Sequence, residues 1–340
     1  MFKHVYKYDD DKRAQHQAVR NTVGWYYFTH DLVEVTGEDA TAFLDHIYAN
    51  PIGTLKIGGA RYTTMLNDDA AIQDDVVIFR LEENKYWIST LFAQRIMKWL
   101  DAHKGGYKAE YRKITKEWDM YAVQGPRSKD LLNAILEDNI DEQKFFQIRD
   151  NKIDGISVKI SRAGFSGEKL GYEIYVSPEY TDQIEAILKE KGKTFDAREV
   201  DEFQIKVWTL PTEKGFYVMT DIHWTNPFEV GLDRGIDWDK DFIGKEALLK
   251  IKEEGPKRIL YGFTIDEKYD AVHIVPRNLG GPGAQVLLGD EEIGRVYKYT
   301  YGYTVEKNIG YALVEIDKAG IGDIVSINGA EATLCERSFF

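Results

Sequence analysis

Apolar and polar positions alternate along LVEVT (32–36), so that segment reads as a strand with one face toward a core. RYTTML (61–66) and DDVVIFRL (74–81) read as two more strands, joined through the turn NDDAA as a β-hairpin. YWIST (86–90), MYAVQ (120–124), ISVKISRA (156–163) and GYEIYVS (171–177) continue the series. Between them the period changes. ATAFLDHIYAN (40–50) places Ala42, Phe43, Ile47 and Tyr48 at helical spacing, with Asp39 as the expected cap and Pro51 as the expected stop. LFAQRIMKWLDAHK (91–104), RSKDLLNAIL (127–136) and PEYTDQIEAILKEKG (178–192) read as further helices, and residues 1–20 as a polar arm plus a short helix.

The last ninety residues differ. They hold short strands and frequent glycines with little helical periodicity: ILYGFTI, AQVLLG, EEIGRVYKYTYGY, IGYALVEI, DIVSING and AEATLCE. That pattern predicts a small antiparallel barrel. The expected division is a body over 1–252 and a barrel domain over 253–340, with the boundary in the charged run KEEGPK (252–257). Strand pairs and helices in this order give an α+β body.

Composition narrows the function classes. Of 340 residues, 43% are hydrophobic and 30% charged, enough for a sizeable core. No window approaches the roughly 18 apolar residues of a membrane span, and the charged N-terminus has no apolar signal core, so the expectation is a cytoplasmic protein without a membrane partner. Lys and Arg total 44 against 57 Asp and Glu, a net charge of −13 that opposes nonspecific nucleic-acid binding. The single cysteine, Cys335, allows no internal disulfide and no cysteine-based metal site. It reads as a small apolar residue of a late strand. The 21 tyrosines and 7 tryptophans suit stacking on flat ligands as well as core packing.

Asp74 and Asp75 open the return strand of the hairpin. Adjacent strand residues point to opposite faces, so one is expected toward solvent and the other toward a cavity or core. A buried carboxylate needs donors or a cationic centre.

Seven segments, in order, resemble the glycine cleavage T-protein superfamily. HQAVRNTVGWYYFTH (16–30) resembles its HxAVR…SH segment, and GEDATAFLDHIYAN its G-x-(D/R)-A-x-x-F-L stretch. GARYTTMLNDDAAIQDDVVIFRL, AVQGP, RAGFSGEKLGYEIYV, NPFEVGLDRGIDWDKDFIGKEAL and EIGRVYKYTYGYTVEKNIGYALV are similar to later family motifs. The resemblance implies a three-lobed, cloverleaf-like fold with tetrahydrofolate in a central hole. The body would be two interleaved lobes, about 1–50 with 115–252, and about 51–114. It puts the key acid at Asp74, with Asp75 as the fallback. A carboxylate there can steady positive charge on a folate nitrogen. It puts Tyr62 and Tyr172 among the cofactor-binding residues, and Glu173, or Glu168 because the loop is one residue longer, against the amide edge of the pterin. His30 falls at the family's Ser-His position, where it is either a proton relay or a hydrogen-bonded structural residue.

The chain also departs from the family. KVWTLPTEKGF (206–216) stands where T-proteins carry Ala-Arg-Asp-x-x-Arg-Leu-Glu-Ala-Gly, so Val207 and Pro211 replace two arginines while Glu213 and Gly215 remain. The folate-binding iron–sulfur assembly branch carries a cysteine where this chain has Phe216. WTNPFEVGLDRGIDWDKDFIGKEAL looks closest to the tetrahydrofolate-dependent demethylases of the vanillate, syringate or dimethylsulfoniopropionate type, without the long middle insertion of the vanillate enzymes. The resemblance therefore implies methyl transfer from a small methylated donor to N5 of tetrahydrofolate. Tyr217 or His223 would be the acid if the donor is an aryl ether, and Tyr217 and Trp224 would lie on the substrate side. No lipoyl carrier protein is expected. The alternatives are an aminomethyltransferase of a glycine-cleavage-like system and a non-catalytic folate-binding assembly protein.

Overall fold

The computed structural model describes residues 9–28, 30–266, 274–277 and 281–340. The alternating segments form two sheets and a barrel. One sheet has six strands in the order Ala197–Glu199, Val23–Tyr27, Asp119–Gln124, Gly171–Val176, Ile156–Ser161, Ile148–Ile153. The other has five: Ala60–Leu66, Ile72–Glu82, Lys85–Thr90, Asp31–Thr36, Glu110–Lys113. The barrel runs Arg258–Ile265, Lys307–Glu315, Glu291–Gly302, Gln285–Leu288, Ile324–Ile327, Ala330–Cys335, and closes because the first strand also pairs with the last.

Strand alternation assigns the cores. In the five-stranded sheet Val33, Val35, Val76, Ile78, Tyr86 and Ile88 face the helices Ala40–Ile47 and Ala93–His103. Leu32, Val77, Phe79 and Trp87, one residue out of phase, enter a central core. The six-stranded sheet behaves alike. Tyr121, Val123, Tyr172 and Ile174 pack against the helices Ser128–Asn133 and Thr181–Gly192, while Tyr26, Met120, Ala122 and Tyr175 face the centre. Each sheet thus has an outer face clothed by helices and an inner face turned toward the other sheet. Tyr301 and Tyr303 from the barrel complete the central core.

Several sequence expectations are corrected here. The strand Asp31–Thr36 belongs to the five-stranded sheet, between Lys85–Thr90 and Glu110–Lys113, rather than to a lobe of residues 1–50 with 115–252. Its Val33 and Val35 bury against the helix that follows it. Asp39 does not cap that helix. Its carboxylate accepts the Lys108 amide at 2.9 Å and ties the helix start to a distant loop. The helix ends at Ile47, well before Pro51, because Tyr48 is extended and bridges to Met65. Residues 1–8 of the expected arm lie outside the described residues. Among the described residues no helix is long and apolar enough to cross a membrane.

Glu213 joins the pieces. It is fully buried at the end of the helical turn Leu210–Glu213. Its carboxylate accepts from His16 at 2.7 Å, Arg20 at 2.9 Å, and the backbone amide and hydroxyl of Thr304 at 2.7 and 2.8 Å. These donors come from the helix Asp10–Asn21 and from the barrel. Burial alone would raise its pKa. The hydrogen bond from His16, with the charges of His16 and Arg20 and the Thr304 amide, outweighs burial and holds it down at about 2.

Replacing Glu213 by Ala leaves the buried donors of His16, Thr304 and one arm of Arg20 without their acceptor and is expected to cost about 3–5 kcal/mol, read as a lowered urea midpoint. The folded pKa lies below that of an unfolded glutamate. The stabilisation from this group is therefore present above about pH 4.5 and fades as pH falls toward 2. Wild-type and variant stabilities should converge on acidification through that window.

Candidate active site

Between the two sheets and the segment 205–219 lies a cavity with an empty volume of about 790 Å³. The five-stranded sheet contributes Tyr62, Asp74, Asp75, Ser89 and Thr90 to its wall. The six-stranded sheet contributes Tyr26, Met120, Ala122 and Glu173. The third wall is Lys206, Val207, Pro211, Tyr217, Val218 and Met219. His30, Phe28 and Phe165 line it as well. Asp74, Tyr62, Glu173, His30 and Tyr217, far apart in sequence, therefore meet in one space.

Both aspartates line this cavity, Asp74 buried and Asp75 partly so. The register between the hairpin strands shifts at Met65–Leu66, opposite Ile72–Asp74, and this bulge twists the strand where the acids sit. Asp74 is fully buried. It accepts the Thr90 hydroxyl at 2.8 Å and the Asp75 amide at 2.9 Å. Asp75 accepts the Tyr62 hydroxyl at 2.8 Å. Burial, reinforced by the neighbouring charge of Asp75, pushes the Asp74 carboxyl up to about 7. Burial also lifts Asp75, to about 6, against the Tyr62 hydrogen bond and with help from the charge of Asp221. Glu173 is raised by burial to about 7, although Tyr175 donates to it at 3.0 Å. Three carboxyls thus stand near their titration points at neutral pH. A ligand that offers N–H donors or developing positive charge would draw them into the ionised form.

The remaining candidates divide. His30 shares a hydrogen bond with Ser89 at 2.8 Å, and burial lowers its pKa to about 4. It is a neutral hydrogen-bonding group near neutral pH. Tyr217 lines the cavity, but its hydroxyl donates to the Val230 carbonyl, which leaves its ring as the face on offer. Tyr172 is not at the site. Glu173 faces the cavity, so its strand neighbour must face the opposite way, and Tyr172 is buried in the outer core. Glu168 pairs with Arg20 and does not substitute for Glu173. His223 lies outside the lining, its Nε2 3.3 Å from Arg95. Burial and the charges of Arg95 and Arg277 lower it to about 4, so it holds no proton to give as a general acid at neutral pH. Trp224 is 54% exposed and also outside the cavity lining, in a left-handed conformation at φ 67°. Its ring lies 4.7 Å from that of His223.

Other residues at or behind the cavity carry no signal of type or spacing. Lys206 is the one cationic side chain in the lining among the described residues. Thr90, which orients Asp74, is the last letter of a strand. Arg95 reaches the Gln73 carbonyl at 2.8 Å and moderates the charge of Asp74. Arg337, four residues from the end of the sequence, stands 4.6 Å over the Tyr217 ring and donates to the Val230 carbonyl at 2.6 Å.

The Asp74 carboxyl titrates higher folded than unfolded, so the fold loses stability as pH rises from about 4, the unfolded value, to about 7. Asp74→Asn removes that cost. The variant is expected to exceed the wild type by roughly 1–3 kcal/mol at pH 8 and to lose the advantage by pH 4, measured by urea denaturation at both values.

The chain matches known proteins over its full length. Residues 2–240 match the GCVT N-terminal domain family, and residues 258–340 match the glycine cleavage T-protein C-terminal barrel domain. An aminomethyltransferase of Alkaliphilus oremlandii is 33% identical over 336 residues, covering 94% of this chain and 86% of that protein. An aminomethyltransferase of Bacillus cytotoxicus is 32% identical over 328 residues, covering 93% and 85%. The crystal structure of the glycine cleavage system aminomethyltransferase T from Bartonella henselae superimposes with a TM-score of 0.83 at 21% identity, covering all of this chain and 92% of that one, and shows the same fold. With both domain families matched end to end and relatives this similar, the chain belongs to the glycine cleavage T-protein family, whose enzymes use tetrahydrofolate as the acceptor of the transferred unit.

Proposed function

We propose that the cavity between the sheets binds tetrahydrofolate and that the chain transfers a one-carbon unit to it. The observation that carries this reading is the convergence of Asp74 and Glu173, from two different sheets, on one cavity. The donor set suits a reduced pterin. Glu173 is a buried carboxyl with acceptor capacity left for the two parallel N–H donors of a pterin's amide edge. Tyr26, Tyr62, Phe28 and Phe165 supply ring surface for a flat bicycle. Asp74 and Asp75, near their titration points, would steady positive charge on a ligand nitrogen as it accepts the one-carbon group. Thr90 and Tyr62 fix the orientation of the two acids before any ligand arrives.

The relatives' names favour an aminomethyl group as the unit taken. A second reading rests on the third wall. Where the family run carries two arginines, this chain presents Val207 and Pro211 to the cavity, beside Val218, Met219 and the Tyr217 ring. An apolar wall of that kind suits a small methylated donor, whether a methoxy-aromatic or a sulfonium, better than a group recognised through arginine forks. On that reading no lipoyl carrier protein is required. With Tyr217 and His223 without a proton to spare, a donor with a neutral leaving group fits the wall better than a phenolate that must be protonated.

Incubation with tetrahydrofolate and each donor class separates the two. Methylene-tetrahydrofolate formed from an aminomethyl-lipoyl carrier supports the first; 5-methyl-tetrahydrofolate formed from a methoxy-aromatic or sulfonium donor supports the second. In whichever assay turns over, Asp74→Ala should lower the rate by at least about 100-fold. An undiminished rate removes Asp74 from the chemistry, and absence of saturable tetrahydrofolate binding by calorimetry removes the site.

A further inference from the structure

The third wall of the cavity hangs from the barrel by one buried ion pair. Val218 and Met219 line the cavity at the start of the short helical turn Met219–Ile222. Asp221 in that turn accepts the Val218 amide at 2.9 Å and the Lys298 ammonium at 2.6 Å through the same oxygen, Oδ2. Lys298 belongs to the barrel strand Glu291–Gly302, at the point where its register shifts against Lys307–Glu315. Neither side chain of the pair has any exposure. The ammonium also stands 5.2 Å from the Trp208 ring and 5.8 Å from the Tyr311 ring. Tyr311, on the neighbouring barrel strand, donates to the carbonyls of Thr212 and Phe216, both at 2.9 Å. The barrel therefore grips the stretch 208–221, from which Pro211, Tyr217, Val218 and Met219 reach the cavity.

A buried ion pair is a poor means of raising stability, because desolvation cancels most of the attraction. A placement role explains it better. The turn that carries Asp221 packs against the strand of the two aspartates, whose Ile72 amide donates to the Thr225 carbonyl at 2.7 Å, and the charge of Asp221 acts on Asp75. Asp75 itself meets the Tyr62 hydroxyl from the facing strand and has Asp74 beside it, and the charge of Arg337 acts on Tyr62. Asp221 meets Lys298 and Tyr311 from the barrel.

We propose that Lys298 is a positioning residue of the active site: through Asp221 it fixes the Val218–Met219 wall and offsets a negative charge that would otherwise bear on Asp75. The barrel, which places no residue in the cavity lining among the described residues, thereby sets the charge state of an acid inside it. The role deepens the proposed function, because it matters to turnover only if Asp75 works in the cavity. Its test reads the carboxyl itself in the ligand-free chain, so one can fail without the other.

The full chain, labelled with carboxyl-13C aspartate, is titrated by NMR, with the Asp75 signal assigned from Asp75→Asn. In Lys298→Met, Asp221 loses the ammonium, and the Asp75 midpoint should rise by about half a pH unit or more. In Asp221→Asn, whose amide oxygen still accepts from Val218, the midpoint should fall below that of the wild type. The double variant should bring the midpoint back down from its Lys298→Met value. A folded Lys298→Met protein with an unmoved Asp75 midpoint overturns the proposal. If that variant does not fold, Asp221→Asn decides alone, and an unmoved midpoint there overturns it equally.

Discussion

Glu213 carries a negative charge in a place water does not reach, and its donors come from parts of the chain that have no other reason to meet there. His16 and Arg20 belong to the first helix, and Thr304 to the turn between two barrel strands. An ionised carboxylate at zero exposure is tolerable only when its lone pairs are filled. The charge can persist only while the helix, the 210–213 turn and the barrel hold their relative places. Even local geometry bends to it: a Cβ on Gly302 would come within 3.0 Å of the Glu213 carboxylate, so the barrel strand passes this point without a side chain. Lys214, Gly215 and Phe216 lead from it to Tyr217, so the later half of this cavity wall starts from a fixed anchor.

The stretch before Glu213 shows how that anchor is converted into a surface. Ile205–Thr209 is wound as a π-helix, wider than an α-helix, and runs directly into Leu210–Glu213 with Pro211 near its start. Proline brings no amide for the ladder and its ring crowds the preceding turn. A widened turn ahead of it relieves that crowding, and π-turns recur at functional sites. Trp208 points inward, donating to the Tyr299 carbonyl at 3.0 Å, while Lys206, Val207 and Pro211 reach the cavity. Val207 and Pro211, where the resemblance would put two arginines, thus give this wall an apolar surface.

Much of the fold is legible in the sequence because it depends on local periodicity. The segments LVEVT, RYTTML, MYAVQ and GYEIYVS fall inside strands that extend them by a residue or less at each end, apart from the Ser that closes the last. The six barrel segments match six strands. What is not legible is what depends on distant partners. The strand Val23–Tyr27 hides in a run taken for a motif, because its neighbours Asp119–Gln124 and Ala197–Glu199 lie about 100 and 170 residues away. Asp39 has the right residue type for a cap and spends its carboxylate on Lys108 instead. At the site, the acids and Tyr62 are found because family motifs mark them, and strand parity then separates Glu173 from Tyr172. At Asp74 and Asp75 parity predicts one acid toward solvent, whereas both line the cavity, Asp74 buried and Asp75 partly so. Lys206, Thr90 and Arg337 owe their places to tertiary packing alone and have no local signature.

The charge balance of the whole molecule bears on how such a cavity is filled. At a net −13, the chain repels anions at long range, and a reduced folate carries carboxylates of its own. Three ionised acids inside the cavity would add to that barrier. Burial works against this by lifting Asp74, Asp75 and Glu173 to between about 6 and about 7, so much of their charge is masked by protons before a ligand enters. Lys206 then gives an anionic group a local counter-charge, and it is half-buried over the Tyr26 ring at 5.6 Å rather than loose in solvent. On the proposed reading, N–H donors of a ligand reaching the acids would draw the same carboxyls into the ionised form and strengthen their hold. One physical cause, the removal of the acids from water, both lowers the cost of entry and reserves their charge for the moment it is needed.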